Sequence, residues 1–207
     1  MVVAAGTGSR FGAPKQFADL AGRPVASWSL ATARQVGAKV VLVVPAADLH
    51  CCGWDADVVV AGGSTRSASV RAGLAATAPD AEIIVVHDAA RPLASVRLWW
   101  SVLDAVGAGA DGAIPVIPVA DTVRQLTPGG ARILDRSGLV AVQTPQAFRA
   151  ATLRRAHATA GDATDDAALV EAVGGRVVHV DGTPANIKVT SPSDLVVAAA
   201  LLAAGQR

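Results

Sequence analysis

Tyrosine is absent from this chain, phenylalanine occurs three times and methionine once. A core must therefore be filled mainly by Ala, Val and Leu, and the apolar share is nevertheless 52%. Small and branched side chains of this kind suit a parallel sheet covered by helices on both faces. Charge of either sign is equally scarce in excess: the formal net charge is +1. No general electrostatic attraction to nucleic acid or to a membrane surface follows, so any anion must be bound by locally placed Arg and Lys. The two cysteines, Cys51 and Cys52, are adjacent, which disfavours a disulfide between them and points to a reducing cytoplasm. No basic segment precedes the first apolar residues, so no signal peptide is expected. Long apolar runs are missing too. The longest, Leu195 to Ala204, falls well short of the ~20 residues a membrane span requires. It reads instead as a terminal helix with Ser191 as N-cap and Pro192 at its first position.

What is present is an alternation, with a helix-like segment between most of the strand runs. Apolar runs of strand length occur at residues 2–5, 38–44, 57–61, 82–86, 111–118 and 176–180, with helix-like segments near 24–36, 67–77, 95–107, 149–160 and 165–173. The order predicts βαβ units in one α/β domain spanning 1–207, a Rossmann-like, mostly parallel sheet with helices on both faces. Residues 119–141 interrupt it. Two short segments flank Pro128-Gly129-Gly130, which reads as an inserted β-hairpin arm, either a lid or a dimerisation arm. Ligands of open α/β sheets bind at the carboxyl ends of the strands, and three polar loops fall there: Gly6 to Lys15, Gly62 to Val70, and His87 to Pro92.

The first of these loops carries the most information. Gly6 and Gly8 allow close backbone approach to an oxyanion, and Arg10 and Lys15 on the same loop suit a ligand with several negative charges, such as a triphosphate. A Walker loop is excluded because Lys15 follows Pro14 and precedes Gln16. A dinucleotide fingerprint fails because Phe11 stands where its third glycine belongs, and no acidic residue ends the next strand. A nicotinamide-dependent dehydrogenase is thereby disfavoured. Asp88, at a strand end, could hold Mg²⁺ together with substrate phosphates. His87 beside it reads as a residue oriented by strand-end hydrogen bonds. His50, His157 and His179 lack metal spacing.

Taken in order, the opening loop, Gly62–Leu74, Val86–Pro92, Pro118–Arg124, Gln143-Thr144-Pro145-Gln146, Ala163-Thr164-Asp165-Asp166 and Asn186-Ile187-Lys188-Val189-Thr190 resemble the 2-C-methyl-D-erythritol 4-phosphate cytidylyltransferase family. The resemblance implies a Mg²⁺-dependent transfer of CMP from CTP to that polyol phosphate, with release of pyrophosphate. It implies that Arg10, Lys15, Arg136 and Lys188 are the catalytic cations and Asp88 the metal ligand. By the same resemblance Ala4, Ala5, Gly6, Gly8, Gly62 and Ser69 hold the nucleotide. Asp88, Arg91, Thr122, Thr144 and Thr164 line the acceptor site, and a homodimer forms through the 119–141 arm, which carries Arg136 and Thr122 to the neighbouring subunit. Two positions depart from the pattern: Ala185 where the family often has Asp, and Val3 where many members have Pro. Two alternatives stand beside this reading, a ribitol 5-phosphate cytidylyltransferase and a catalytically inactive nucleotide-binding regulator. Thr164 could equally be an N-cap, and Ser64 or Ser67 could cap the helix that follows them.

Overall fold

The structure is a computed structural model that describes residues 1–6, 11–12, 14–51, 53–159 and 161–205. Its elements, in chain order, are β1 (Val2–Val3), β2 (Asp19–Leu20), β3 (Arg23–Pro24), α1 (Val25–Gln35), β4 (Val41–Val44), β5 (Val58–Ala61), α2 (Arg66–Ala75), β6 (Ile83–Asp88) and α3 (Val96–Gly107). They continue with β7 (Gly112–Pro118), β8 (Arg124–Thr127), β9 (Gly130–Ile133), β10 (Val140–Val142), β11 (Gln146–Arg149), α4 (Ala150–Thr159), α5 (Asp166–Ala172), β12 (Val177–Asp181) and α6 (Pro192–Ala203).

The central sheet runs β7-β11-β6-β1-β4-β5, with β12 on the other edge of β7 and β10 sharing the β11 edge. Strands β5, β4, β1 and β6 are mutually parallel, and β12 is parallel to β7. The expected α/β architecture is thus present. Strand β11 is antiparallel to both of its neighbours, β6 and β7, so those two remain parallel to each other across it. The alternation of side chains along a strand divides the core in two. In β4, Val41 and Val43 join Val70, Leu74, Phe148, Leu153 and Val170 beneath α2, α4 and α5. Leu42 and Val44 face the opposite way, onto Ala26, Leu30, Leu98 and Trp99 of α1 and α3. Each face of an all-apolar strand therefore finds its own helical layer, as a parallel sheet requires.

The interrupting segment forms a hairpin in which β8 pairs with β9 alone. It ends earlier than the sequence suggests: Val140, within the predicted 119–141 excursion, already pairs with Pro118 in the main sheet. At the C-terminal helix, Ser191 and Asp194 form a capping box with Pro192 at the first position, as expected.

Candidate active site

At the carboxyl ends of β1, β5 and β6 lies a cleft of about 380 Å³. Ala4, Ala5, Gly6, Lys15, Ser69, Asp88 and Lys188 line it together, and these are seven of the residues the sequence singled out. Arg10 and Gly8 lie outside the described residues. Lys15 enters the cleft on a single 3-10 turn, Lys15–Phe17, closed by hydrogen bonds from Phe17 N to Pro14 O and from Ala18 N to Lys15 O. The Phe17 ring packs 5.4 Å from that of Trp54, which anchors the turn.

One wall is a turn that tolerates no side chain at two positions. A Cβ on Gly62 would lie 2.3 Å from Ala5 Cβ and 2.8 Å from Ser69 Oγ, and one on Gly63 would lie 2.4 Å from Ala68 Cβ. Glycine is required here by close approach. Ser69, only 3% exposed, accepts from Gly63 N at 3.2 Å and donates to Thr65 O at 2.9 Å, so its hydroxyl braces the turn from within α2. Neither Ser64 nor Ser67 caps that helix. Thr65 does, accepting from Ala68 N, while Ser67 exchanges two hydrogen bonds with the backbone of Ala163.

The opposite wall is electrostatic. Lys188 Nζ donates to Asp88 Oδ2 at 2.5 Å, and Arg66 Nε stands 3.6 Å from Asp88 Oδ1. Burial opposes ionisation of Asp88, but Lys188 and Arg66 outweigh it and lower its pKa to about 2. The reach of Lys188 depends on a backbone bond from Val189 N to Ala90 O, 2.8 Å, which lays the 186–190 segment along the strand-end loop. Behind it, buried Asn186 donates to Gln143 Oε1 at 3.2 Å and to Thr144 O at 3.0 Å.

Arg66 has no place in the sequence reading. It lines the cleft, and its Nη2 lies 2.7 Å from Asp166, a fully buried carboxylate that also pairs with His157 at 2.9 Å. Its signal was present as the first residue of a helix following a strand-end glycine turn. Its partner lies 100 residues away, where no local pattern reaches.

Other candidate residues are placed differently. Thr144 is buried beneath the cleft: Asp88 N donates to its Oγ1 at 3.0 Å, and that hydroxyl lies 3.1 Å from His87 Nδ1. Arg91 donates to Asn186 O at 2.7 Å and to Val142 O at 3.3 Å, bracing the loop that carries Lys188. Thr122 and Arg136 are exposed on the arm, where Arg136 donates to Ala120 O, and neither lines this cleft. Thr164 is exposed and does not cap α5; Asp165 does, accepting from Ala167 N. The arrangement brings together cations, a glycine-lined turn and one ionised carboxylate.

His87 is fully buried, with Nε2 3.2 Å from both Ser29 Oγ and Arg91 O. The carbonyl makes Nε2 the protonated nitrogen, which leaves Nδ1 to accept from Thr144. Burial lowers its pKa to about 3, so it is neutral and structural, as expected. The unfolded histidine titrates near ~6.5. Between those values the unfolded chain binds a proton that the folded chain refuses, so His87 favours folding above pH ~6.5 and this contribution is lost as pH falls. Urea unfolding at pH 7 and at pH 4.5 should show a loss on the order of 2 kcal/mol that His87→Gln lacks. Equal losses in both proteins would mean that His87 is protonated while folded.

A metal requires a test of fit. Among the described residues there is no group of three or more His, Cys, Asp or Glu able to hold an ion. Asp88 is the one carboxylate of the described cleft lining, and it is ionised, with Lys188 on one oxygen and Arg66 3.6 Å from the other. That set fits a magnesium ion held by a single protein carboxylate and completed by phosphate oxygens and water.

Comparison with known proteins agrees with this geometry. A family model described as 2-C-methyl-D-erythritol 4-phosphate cytidylyltransferase matches residues 1–204. A protein of that name from Rhodococcus opacus is 46% identical over 215 residues, covering 99% of this chain and 95% of the relative. Another, from Streptomyces coelicolor, is 44% identical over 226 residues, covering 98% of this chain and 84% of the relative. The crystal structure of the Thermus thermophilus protein of the same name superposes with a TM-score of 0.85 at 38% identity, covering 98% of this chain and 97% of that one.

Proposed function

The chain belongs to the 2-C-methyl-D-erythritol 4-phosphate cytidylyltransferase family, and on that premise we propose that its cleft moves CMP from CTP to 2-C-methyl-D-erythritol 4-phosphate, releasing pyrophosphate for isoprenoid precursor synthesis. The observation that carries the reading is the convergence of Lys15, Asp88 and Lys188 with the Gly62–Ser69 turn around one space. An oxygen of the acceptor phosphate attacks the α-phosphorus of CTP, and the bond to the departing pyrophosphate breaks. No general base is needed, because a phosphate monoester has its second pKa near ~6 and is largely dianionic at neutral pH. This agrees with a neutral, sequestered His87.

Each residue then has a physical task. Lys15, with Arg10, stabilises charge that develops on the transferred phosphoryl group and on pyrophosphate. The Gly62 turn closes on the cytosine ring and excludes a purine by its backbone. Lys188, oriented by Asp88, holds the acceptor phosphate against the repulsion of the nucleotide. Asp88 would hold Mg²⁺, which when bound neutralises triphosphate charge. Thr144 and Arg91 act through the residues they brace. The proposal assigns the reaction to a reducing cytoplasm, the compartment in which adjacent cysteines such as Cys51 and Cys52 stay as thiols. Among the described residues no helix is long and apolar enough to cross a membrane.

The proposal includes a homodimer. Arg136 and Thr122 stand away from the cleft of their own chain, on an arm whose Leu126 is 82% exposed and Ile133 65% exposed. A twofold partner would cover those side chains and receive both polar residues.

Pyrophosphate release from CTP and Mg²⁺, measured separately with 2-C-methyl-D-erythritol 4-phosphate and with ribitol 5-phosphate, tests the acceptor. Turnover is expected with the first. Turnover with ribitol 5-phosphate alone would reassign the substrate, and none with either would leave a nucleotide-binding regulator.

A further inference from the structure

One polar group in the cleft has no work in the reaction as described. Gln16 is 3% exposed, yet among the described residues its Nε2 has no hydrogen-bond partner. A buried amide donor left unpaired is destabilising, and such groups in a native structure call for a reason. Here the reason is in the surroundings. Gln16 lines the cleft beside Lys15 and shares that lining with Asp88, Ala89, Ala90 and Lys188. Alanine side chains offer it no acceptor, Lys15 and Lys188 carry donors only, and the Asp88 carboxylate accepts from Lys188 and faces Arg66. Its turn is held rigidly, since Val25 N donates to Ala18 O at 3.0 Å just after it and Phe17 packs on Trp54. The carboxamide is therefore carried on a held turn, sequestered, and in need of an acceptor that the described residues do not supply.

We propose that Gln16 is a further catalytic residue, whose Nε2–H donates to a non-bridging oxygen on the α-phosphorus of the nucleotide. The inference rests on the cytidylyltransferase reading of the cleft. Phosphoryl oxygens are acceptors without protons, so they satisfy an amide N–H whatever the orientation of the ligand's hydroxyls. The α-phosphoryl group is the part of CTP that must lie next to the acceptor held by Lys188. Gln16 is the more deeply buried neighbour of Lys15, and it shares the cleft lining with Lys188. As charge grows on those oxygens in the transition state, a fixed neutral donor gains strength without reorganising. Lys15 supplies the charge and Gln16 the direction.

Two variants and one substrate pair test this. Gln16→Leu keeps the volume and removes the donor, whereas Gln16→Glu keeps acceptor oxygens and removes the N–H. Both should lower kcat for CTP and 2-C-methyl-D-erythritol 4-phosphate by roughly 10²-fold with KM for CTP changing little, and the melting temperature of Gln16→Leu should be no lower than that of the parent protein, since the unpaired donor is gone. The two diastereomers of the α-phosphorothioate of CTP add a readout that a structural role would not move. For the diastereomer whose sulfur replaces the oxygen facing Gln16, the sulfur penalty should shrink in Gln16→Leu, because the hydrogen bond it weakens is already gone. The other diastereomer should keep its penalty. A Gln16→Leu enzyme within twofold of the parent overturns the proposal. So does a fully active Gln16→Glu, which would make the group an acceptor. Lost activity with a lowered melting temperature and both sulfur penalties unchanged would assign Gln16 to folding alone. Turnover by the unaltered protein in the same assay keeps any of these results separate from a failure of the cytidylyltransferase reading.

Discussion

Replacing Lys15 with alanine is expected to lower kcat by roughly 10²–10³-fold while affinity for CTP falls far less. The argument is one of differential binding. The triphosphate is already anionic in the ground state, so part of the attraction to Lys15 is present before reaction and cancels from kcat. What remains is charge that shifts onto the transferred phosphoryl oxygens and the pyrophosphate as the bond to the α-phosphorus breaks. A cation fixed beside that point is worth more there than in water, because the cleft already screens its groups from solvent. The proposal puts Lys15 at that point: it sits on a turn locked by Pro14, Ala18 and the Phe17–Trp54 contact, and it lines the same space as Asp88 and Lys188. Steady-state kinetics with CTP varied at saturating acceptor would measure the split. A near-normal kcat with a raised KM alone would reduce Lys15 to a binding residue.

The second large effect is a restoration of activity. Lys15→Ala and Arg136→Ala should each be nearly inactive alone, yet a mixture with exchanged subunits should recover about a quarter of the parent activity per site. If the arm crosses to the partner, one site of each heterodimer collects both lesions and the other collects none. With random exchange half of the dimers are heterodimers, and half of their sites are intact. If Arg136 instead serves its own subunit, every site carries one lesion and the mixture stays inactive. The geometry favours crossing, since Arg136 is exposed, bonded to Ala120 O and absent from the cleft that holds Lys15. Among the described residues strands β8 and β9 pair only with each other, and Leu126 and Ile133 are left in solvent. An inactive mixture with exchange demonstrated, or a monomer in solution, would contradict the crossed arm.

Much of this architecture was legible from residue order because its signals are local. The runs that became β4, β5, β6 and β7 are dominated by apolar residues, with His87 and Asp88 closing β6 at the site, as suits a sheet between two helical layers, and the helices between them begin and end within a few residues of their expected bounds. Strands β10 and β11 were not legible. Val140–Val142 has three residues, and Gln146–Arg149 carries a buried Gln and an exposed Arg around Ala147 and Phe148. Only insertion between β6 and β7 makes the latter segment a strand, and that depends on partners far away in sequence. The site divides the same way. Glycines, strand-end Asp88 and the loop cations stand out by type and position, so the cleft could be assembled from sequence. The Arg66–Asp166–His157 pairing, the burial of Thr144 and the unpaired amide of Gln16 are properties of three-dimensional neighbours. Thr144 shows the difference most plainly. Its hydroxyl looked like a substrate contact, whereas in the fold it accepts from the Asp88 backbone and meets His87.

The central claim is that this cleft joins the acceptor phosphate to the α-phosphorus of CTP. Phosphorus NMR of the complete reaction with 2-C-methyl-D-erythritol 4-phosphate tests it most directly. The account predicts that the three CTP resonances and the monoester resonance disappear together, replaced in equal amounts by pyrophosphate and by the paired doublets of a diphosphate diester. Appearance of CDP with a phosphorylated acceptor, or of CDP with orthophosphate, would place the attack at the γ-phosphorus and contradict it.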